Sequence, residues 1–131
     1  DVAFSLRRSG LDKAERSALV DAALERFGLA HLADAAAHRL SSGEKQLLSL
    51  ASTLVREPDL IIFDEPTTLL DLRNRLVLRR VLTELDQQVV LATHDLDLAA
   101  DADRVLVVDG GHIVADGAPG EAIAHYEAMM A

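Results

Sequence analysis

The sequence predicts an α/β fold with a parallel sheet, on three observations. Three short apolar runs, Leu60-Ile61-Ile62-Phe63, Val89-Val90-Leu91-Ala92 and Val105-Leu106-Val107-Val108, are continuous rather than alternating, as in strands covered on both faces. Helical stretches of about Leu72 to Leu85 and about Leu96 to Ala102 separate them, so the order is β-α-β-α-β, with right-handed crossovers. Half of the 131 residues are apolar, but only three Phe and one Tyr are aromatic. The core is therefore built from Leu, Val, Ile and Ala, which suits helices and buried strands more than a sandwich.

Two helices precede the strands. In the first, about Leu11 to Phe27, Asp12 followed three residues later by Glu15 fits a capping-box variant. Val20, Ala23, Leu24 and Phe27 share its apolar face, and Gly28 is placed to stop it. The second runs from about Gly43 to Arg56, with Leu47, Leu50, Ala51 and Leu54 on one face and Glu57-Pro58 at its end. In the helix between the first two strands, Leu72, Leu76, Val81 and Leu85 are expected to lie in phase. Gly110-Gly111 before His112-Ile113-Val114 predicts a tight hairpin adding an edge strand, and Ala118-Pro119 opens a last short helix. The chain is expected to divide into a helical part, 1–57, and a strand-bearing part, 58–131.

Composition narrows the function classes. A formal charge of −9 argues against a nucleic-acid surface, which works through clustered Lys and Arg that displace phosphate counterions. Without cysteine there is no disulfide or thiolate metal framework. No apolar run approaches the roughly 18 residues of a membrane span, and DVAFSLRRSG lacks the order of a signal peptide. The acidic run Asp95, Asp97, Asp101, Asp103 lacks the glycine and terminal glutamate of a calcium loop, so a solvated face is expected. The same holds for Arg73, Arg75, Arg79 and Arg80, while His31, His38, His112 and His125 show no metal-ligand spacing.

Three stretches carry chemistry. LIIFDEPTTLLD, Leu60 to Asp71, places Asp64 and Glu65 where a buried strand ends, at the edge of a parallel sheet where such folds bind ligands. One carboxylate there can support Mg²⁺ and the other can polarise a water against a phosphoryl group. Alternatively, both only stabilise the start of the next helix. LATHD puts His94 just past a second strand, where it can reach a phosphate or an attacking water. In HRLSSGEKQ, Ser41, Ser42 and Gly43 precede a helix whose free N–H groups favour an anion; alone, this is also a capped helix start.

In this order the motifs resemble the ATPase domain of the ABC family. LSSGEKQ is similar to that family's signature, usually written LSGGQ; LIIFDEP to its Walker B; TLLD, Thr68 to Asp71, to its D-loop; His94 to its switch histidine. The resemblance implies a partial RecA-like P-loop NTPase core preceded by the ABC helical subdomain, with the phosphate-loop half missing. It implies ATP and Mg²⁺ as cofactors. Asp64 would then support Mg²⁺, Glu65 act as general base and His94 sense the γ-phosphate. Ser41, Ser42, Gly43 and Glu44 would meet the nucleotide held by a second subunit, and Asp71 would couple the two sites. Ser42 and Glu44 depart from the usual Gly and Gln, which puts affinity in question more than identity.

A phosphate loop, G-x-x-x-x-G-K-[ST], is not in the chain: its only lysines, Lys13 and Lys45, follow Asp12 and Glu44. The expectation is a C-terminal portion of such an ATPase, starting after the glutamine loop and inactive by itself. DVAFSLRRSGL, TTLLDLRN and DGGHIVADGAP resemble energy-coupling-factor importer ATPases of the biotin and cobalt or nickel type. That implies a second ATPase subunit and an integral membrane subunit as partners, no nucleic acid, and a peripheral place on the cytoplasmic face of the membrane. A non-transport ABC ATPase of DNA repair or translation, and a non-catalytic pairing module, remain as alternatives.

Overall fold

The computed structural model describes residues 2–6 and 10–131, and its contacts divide the chain into two units, Asp1–Leu91 and Ala92–Ala131. Of the opening stretch DVAFSLRRSGL, residues 1 and 7–9 lie outside the described residues. The first unit opens with a short helix, α1 (Val2–Ser5), which periodicity does not announce. It is held by burial of Val2 and Leu6 and by Arg56, whose Nε–H donates to the Ser5 carbonyl at 3.0 Å.

Helix α2 (Lys13–Arg26) starts as its sequence predicts. Asp12 accepts from Glu15 N–H at 2.8 Å while the Glu15 carboxylate accepts from Asp12 N–H at 2.8 Å, a reciprocal capping box. At its end, Leu29 N–H donates to the Leu24 carbonyl and Gly28 N–H to that of Glu25, a Schellman closure with Leu24 and Leu29 both buried. Two 3₁₀ turns, Ala30–Leu32 and Ala37–Arg39, lead to α3 (Ser42–Leu54), which buries Leu47, Leu50, Ala51 and Leu54 as expected.

Strand β1 (Leu60–Asp64) and strand β2 (Gln88–Ala92) are neighbours in a small parallel sheet, with α4 (Leu72–Thr83) as the crossover. Ile61 and Phe63 of β1 enter a core shared with Leu47, Leu50, Leu78 and Val81. Two expectations fail here. The β1 run is not covered on both faces, since Leu60 is 47% and Ile62 71% exposed. A continuous apolar run marks two faces able to be buried; which of them is covered depends on the layers packed against it. The apolar face of α4 is also not the expected one: Leu72 and Leu76 are 74% and 56% exposed, while Leu78 and Val81 are buried. At about 100° per residue, Leu72 and Leu76 fall on the side opposite Val81 and Leu85.

In the second unit, α5 (Leu96–Ala100) is capped by Asp95, whose carboxylate accepts from Leu98 N–H at 3.2 Å. Strand β3 (Val105–Asp109) pairs antiparallel with β4 (His112–Gly117) across Gly110-Gly111, both at positive φ as a two-residue hairpin turn requires. The pairing slips by one residue between Val107 and Val108, a β-bulge on β4. Arg104 closes the hairpin base with two 2.7 Å hydrogen bonds to Asp116. Among the described residues β3 pairs with β4 alone, so the expected three-stranded parallel sheet is two sheets of two strands. The Gly110-Gly111 hairpin forms as expected, its two-residue turn costing little loop entropy; the expectation that fails is the place of β3 beside β2 in one parallel sheet. Helix α6 (Pro119–Met130) is longer than expected, starts with Pro at its first position, and packs through Ala122.

Candidate functional site

Ser41 is the N-cap of α3. Its hydroxyl accepts from Glu44 N–H at 3.2 Å, and the Glu44 carboxylate accepts from Ser41 N–H at 2.7 Å. That is a full capping box at the turn expected to hold a phosphate. The backbone hydrogen bond from Ser41, then the one from its side chain, hold the Glu44 carboxyl below its ordinary value. Burial, and more weakly the Asp71 carboxylate, oppose that shift. Ser42 is the first helical residue and needs no positive φ, so a hydroxymethyl is tolerated where the signature usually has glycine.

Gly43 is buried, and the reason for it is packing. A Cβ there would stand 3.2 Å from both the Leu69 carbonyl oxygen and Asn74 Nδ2. The first turn of α3 therefore lies against the segment leading into α4. Asp71, exposed, is the N-cap of α4 and accepts from Asn74 N–H at 2.8 Å. Periodicity could not reveal this approach; a glycine within a helix start was the available signal.

Asp64 ends β1 with its side chain exposed. Glu65 follows at φ +47, a left-handed backbone that costs a non-glycine residue about 1–3 kcal/mol and persists only where its surroundings enforce it. Its Oε2 atom is buried. After it the chain turns sharply: Thr68 N–H donates to the Glu65 carbonyl at 3.3 Å and Leu70 N–H to that of Thr67 at 3.0 Å. Pro66, Thr67 and Leu70 are buried. The Pro66 carbonyl is satisfied from outside the turn, by Gln46 of α3 through a 2.6 Å hydrogen bond from Nε2. Gln46 was not singled out in the sequence, although it stands in the quoted stretch LSSGEKQ.

The first unit thus sets Gly43 of the α3 start (Ser41, Ser42, Gly43, Glu44) against Leu69 and Asn74, which flank Asp71 at the α4 start, and Gln46 joins the Asp64-Glu65 turn to the same helix. His94 is exposed and belongs to the second unit, two residues beyond β2, in a turn where Asp95 N–H donates to Thr93 Oγ1 at 3.0 Å. Chemically, the site offers a capped helix start, an exposed carboxylate, and a second carboxylate on a constrained backbone. Asp64 suits Mg²⁺, a hard cation that takes one or two carboxylates and completes its shell with water and phosphate.

A family model described as ABC transporter matches residues 3–68. The biotin transport ATP-binding protein BioM of Rhizobium etli is 47% identical over 131 residues, 100% of this chain and 58% of the relative. The energy-coupling factor transporter ATP-binding protein EcfA1 of Lactiplantibacillus plantarum is 39% identical over 137 residues, 99% of this chain and 48% of the relative. Among solved structures, cbiO1 from Clostridium perfringens, described as part of the ABC transporter complex cbiONQ, superposes with a TM-score of 0.82 at 36% identity. That match covers 99% of this chain and 54% of cbiO1. The chain thus spans about half the length of the proteins it matches.

Proposed function

The chain belongs to the ABC transporter family, and on that premise we propose that it is the C-terminal part of an ATPase subunit whose full-length protein hydrolyses ATP to energise an importer. The observation that carries this reading is the Asp64-Glu65 pair at the end of β1, with Glu65 held at φ +47 beside buried Pro66 and Thr67. A carboxylate fixed in this way is suited to orient and polarise a water, and an exposed aspartate before it is suited to a metal. Bound Mg²⁺ would supply charge neutralisation on the phosphates, with Asp64 holding it directly or through water.

In this reading Glu65 is the general base and His94 meets the γ-phosphate. Ser41, Ser42, Gly43 and Glu44 close over a nucleotide held by a second ATPase subunit, and Asp71 links the two sites. Residues 1–57 form the signature-bearing helical part and residues 58–131 the half of the core with the strand-end acids. The name of the Rhizobium etli relative, a biotin transport ATP-binding protein, supports an importer of a vitamin such as biotin; cobalt or nickel is the second cargo class that the sequence resemblance implies. Its partners would be the second ATPase subunit and an integral membrane subunit, with the ATPase peripheral on the cytoplasmic side. No helix among the described residues is long and apolar enough to cross a membrane. These 131 residues hold no phosphate loop, so hydrolysis is assigned to the full-length polypeptide that carries them.

The test is ATP-driven dimerisation of that polypeptide carrying Glu65→Gln, followed by size and light scattering. Adding Ser41→Asp keeps a good N-cap but sets a negative charge against the incoming phosphate. We predict that Glu65→Gln alone dimerises with ATP and that the double variant stays monomeric while still binding ATP. Dimerisation undiminished by Ser41→Asp would remove the α3 start from the nucleotide site.

A further inference from the structure

Resting on that ATPase reading, we propose that Gln46 is a positioning residue: its side-chain amide holds the turn that carries Glu65 and ties that turn to the start of α3. The turn consumes its own carbonyls unevenly. Those of Glu65 and Thr67 accept from Thr68 and Leu70 within it, whereas the carbonyl of Pro66 between them accepts from Gln46 Nε2 at 2.6 Å. Pro66 is buried, so without Gln46 its carbonyl would be left with neither water nor protein as donor, a costly state for a backbone group.

The bond lies next to the strained residue. Glu65 sits immediately before Pro66 at φ +47, and such a backbone survives only where neighbouring contacts over-determine it. Proline cannot contribute an N–H of its own, so on this side of Glu65 the turn is restrained through carbonyls, that of Glu65 by Thr68 and that of Pro66 by Gln46. On α3, Gln46 is three residues beyond Gly43, hence on the same face. Gly43 itself approaches the Leu69 carbonyl and Asn74 too closely to admit a side chain without displacement. One face of the first turns of α3 thus contacts the segment after Glu65 at two points, a close backbone approach and a short hydrogen bond.

The consequence is a link between two nucleotide sites. In the proposed dimer the start of α3 faces the nucleotide of the partner subunit, whereas Glu65 acts on the nucleotide of its own. A shift of α3 on closure is therefore transmitted through Gln46 to the backbone of the Glu65 turn. The role is one of geometry, so its loss falls on turnover and not on ATP binding.

The experiment measures ATP hydrolysis by the full-length polypeptide carrying this sequence, with Gln46→Glu, Gln46→Lys and the control Glu65→Gln. The first is isosteric and, ionised, cannot donate to Pro66; the second keeps a donor but drops Oε1, a buried atom that accepts no hydrogen bond among the described residues. Expected is a loss of about tenfold in kcat for Gln46→Glu with KM for ATP within about twofold, and recovery by Gln46→Lys to within about threefold of the parent. Should Gln46→Glu not fold, Gln46→Leu replaces it with the same expectation. Unchanged kcat in the non-donating variant, an equal loss in Gln46→Lys, or a loss confined to KM would overturn the assignment. The control separates the two layers. If Glu65→Gln leaves hydrolysis intact, the ATPase reading of Glu65 fails; if it abolishes hydrolysis while Gln46→Glu has no effect, only the role of Gln46 fails.

Discussion

At the scale of single residues, the α3 start has two demands on the same atoms. Ser41 and Glu44 satisfy each other in a capping box, and in the proposed site the same turn receives a phosphate. The hydroxyl of Ser41 accepts from Glu44 N–H, and its single proton, which also serves the Glu44 carboxylate, can rotate to a phosphate, so cap and phosphate contact are compatible. The Glu44 carboxylate is less accommodating, because it brings negative charge to the positive end of the helix. Glu44→Gln keeps the capping box and removes that charge. We therefore predict that it lowers the ATP concentration needed for half-maximal dimerisation of the full-length protein. It also has a pH signature. The Glu44 carboxyl is held below its ordinary value of 4.5, so its contribution to stability is present above that value and is lost as pH falls through the folded-state pKa. Between neutral pH and about pH 3, thermal unfolding of the parent chain should fall further than that of Glu44→Gln. Equal acid sensitivity would show that Glu44 adds nothing to the cap. Ser41→Ala, which removes the cap itself, should cost about 1 kcal/mol in the same measurement. The turn of Ser41, Ser42 and Gly43 was legible as a capped helix start; that Gly43 serves packing and Gln46 holds a distant carbonyl was not, because neither contact has a local sequence pattern.

At the scale of elements, caps and apolar spacing foretold most boundaries, and α4 shows where they fail. Its start, though not its cap at Asp71, was legible, but Arg73, Arg75, Arg79 and Arg80 break up the apolar stripe, and two leucine stripes compete within 12 residues. Tertiary contact chose Leu78 and Val81, both buried in the first-unit core. Leu78→Ala should accordingly cost about 2–5 kcal/mol of stability, whereas Leu76→Gln, at an exposed position, should stay within about 0.5 kcal/mol. Chemical denaturation of the two variants checks this. The reverse order would restore the face that spacing alone suggested. Strands were legible as strands, since each apolar run became one, but pairing is a property of the whole chain. A Gly-Gly turn gave β3 its antiparallel partner, and nothing in Val105-Leu106-Val107-Val108 distinguishes that from a place in a parallel sheet.

At the scale of the whole molecule, family membership was legible because four motifs with chemical reasons stand in one order, LSSGEKQ, LIIFDEP, TLLD and His94. Cargo was not, since neither the composition nor the motifs of an ATPase contain the surface that selects it. The 131 residues supply a metal-suited aspartate, a constrained glutamate and a capped helix start, but no lysine-bearing phosphate loop. By calorimetric titration the chain alone should therefore bind ATP no tighter than about millimolar, because the principal β/γ-phosphate contacts are missing; micromolar affinity would mean that the phosphates are held by other means. The most direct measurement is steady-state Mg²⁺-dependent ATP hydrolysis by the full-length polypeptide, with and without Glu65→Gln. The predicted result is hydrolysis by the parent and a loss of at least about a hundredfold in kcat for Glu65→Gln with ATP binding retained. Hydrolysis that survives Glu65→Gln at the parental rate, or a parent that binds ATP without hydrolysing it, would contradict the account.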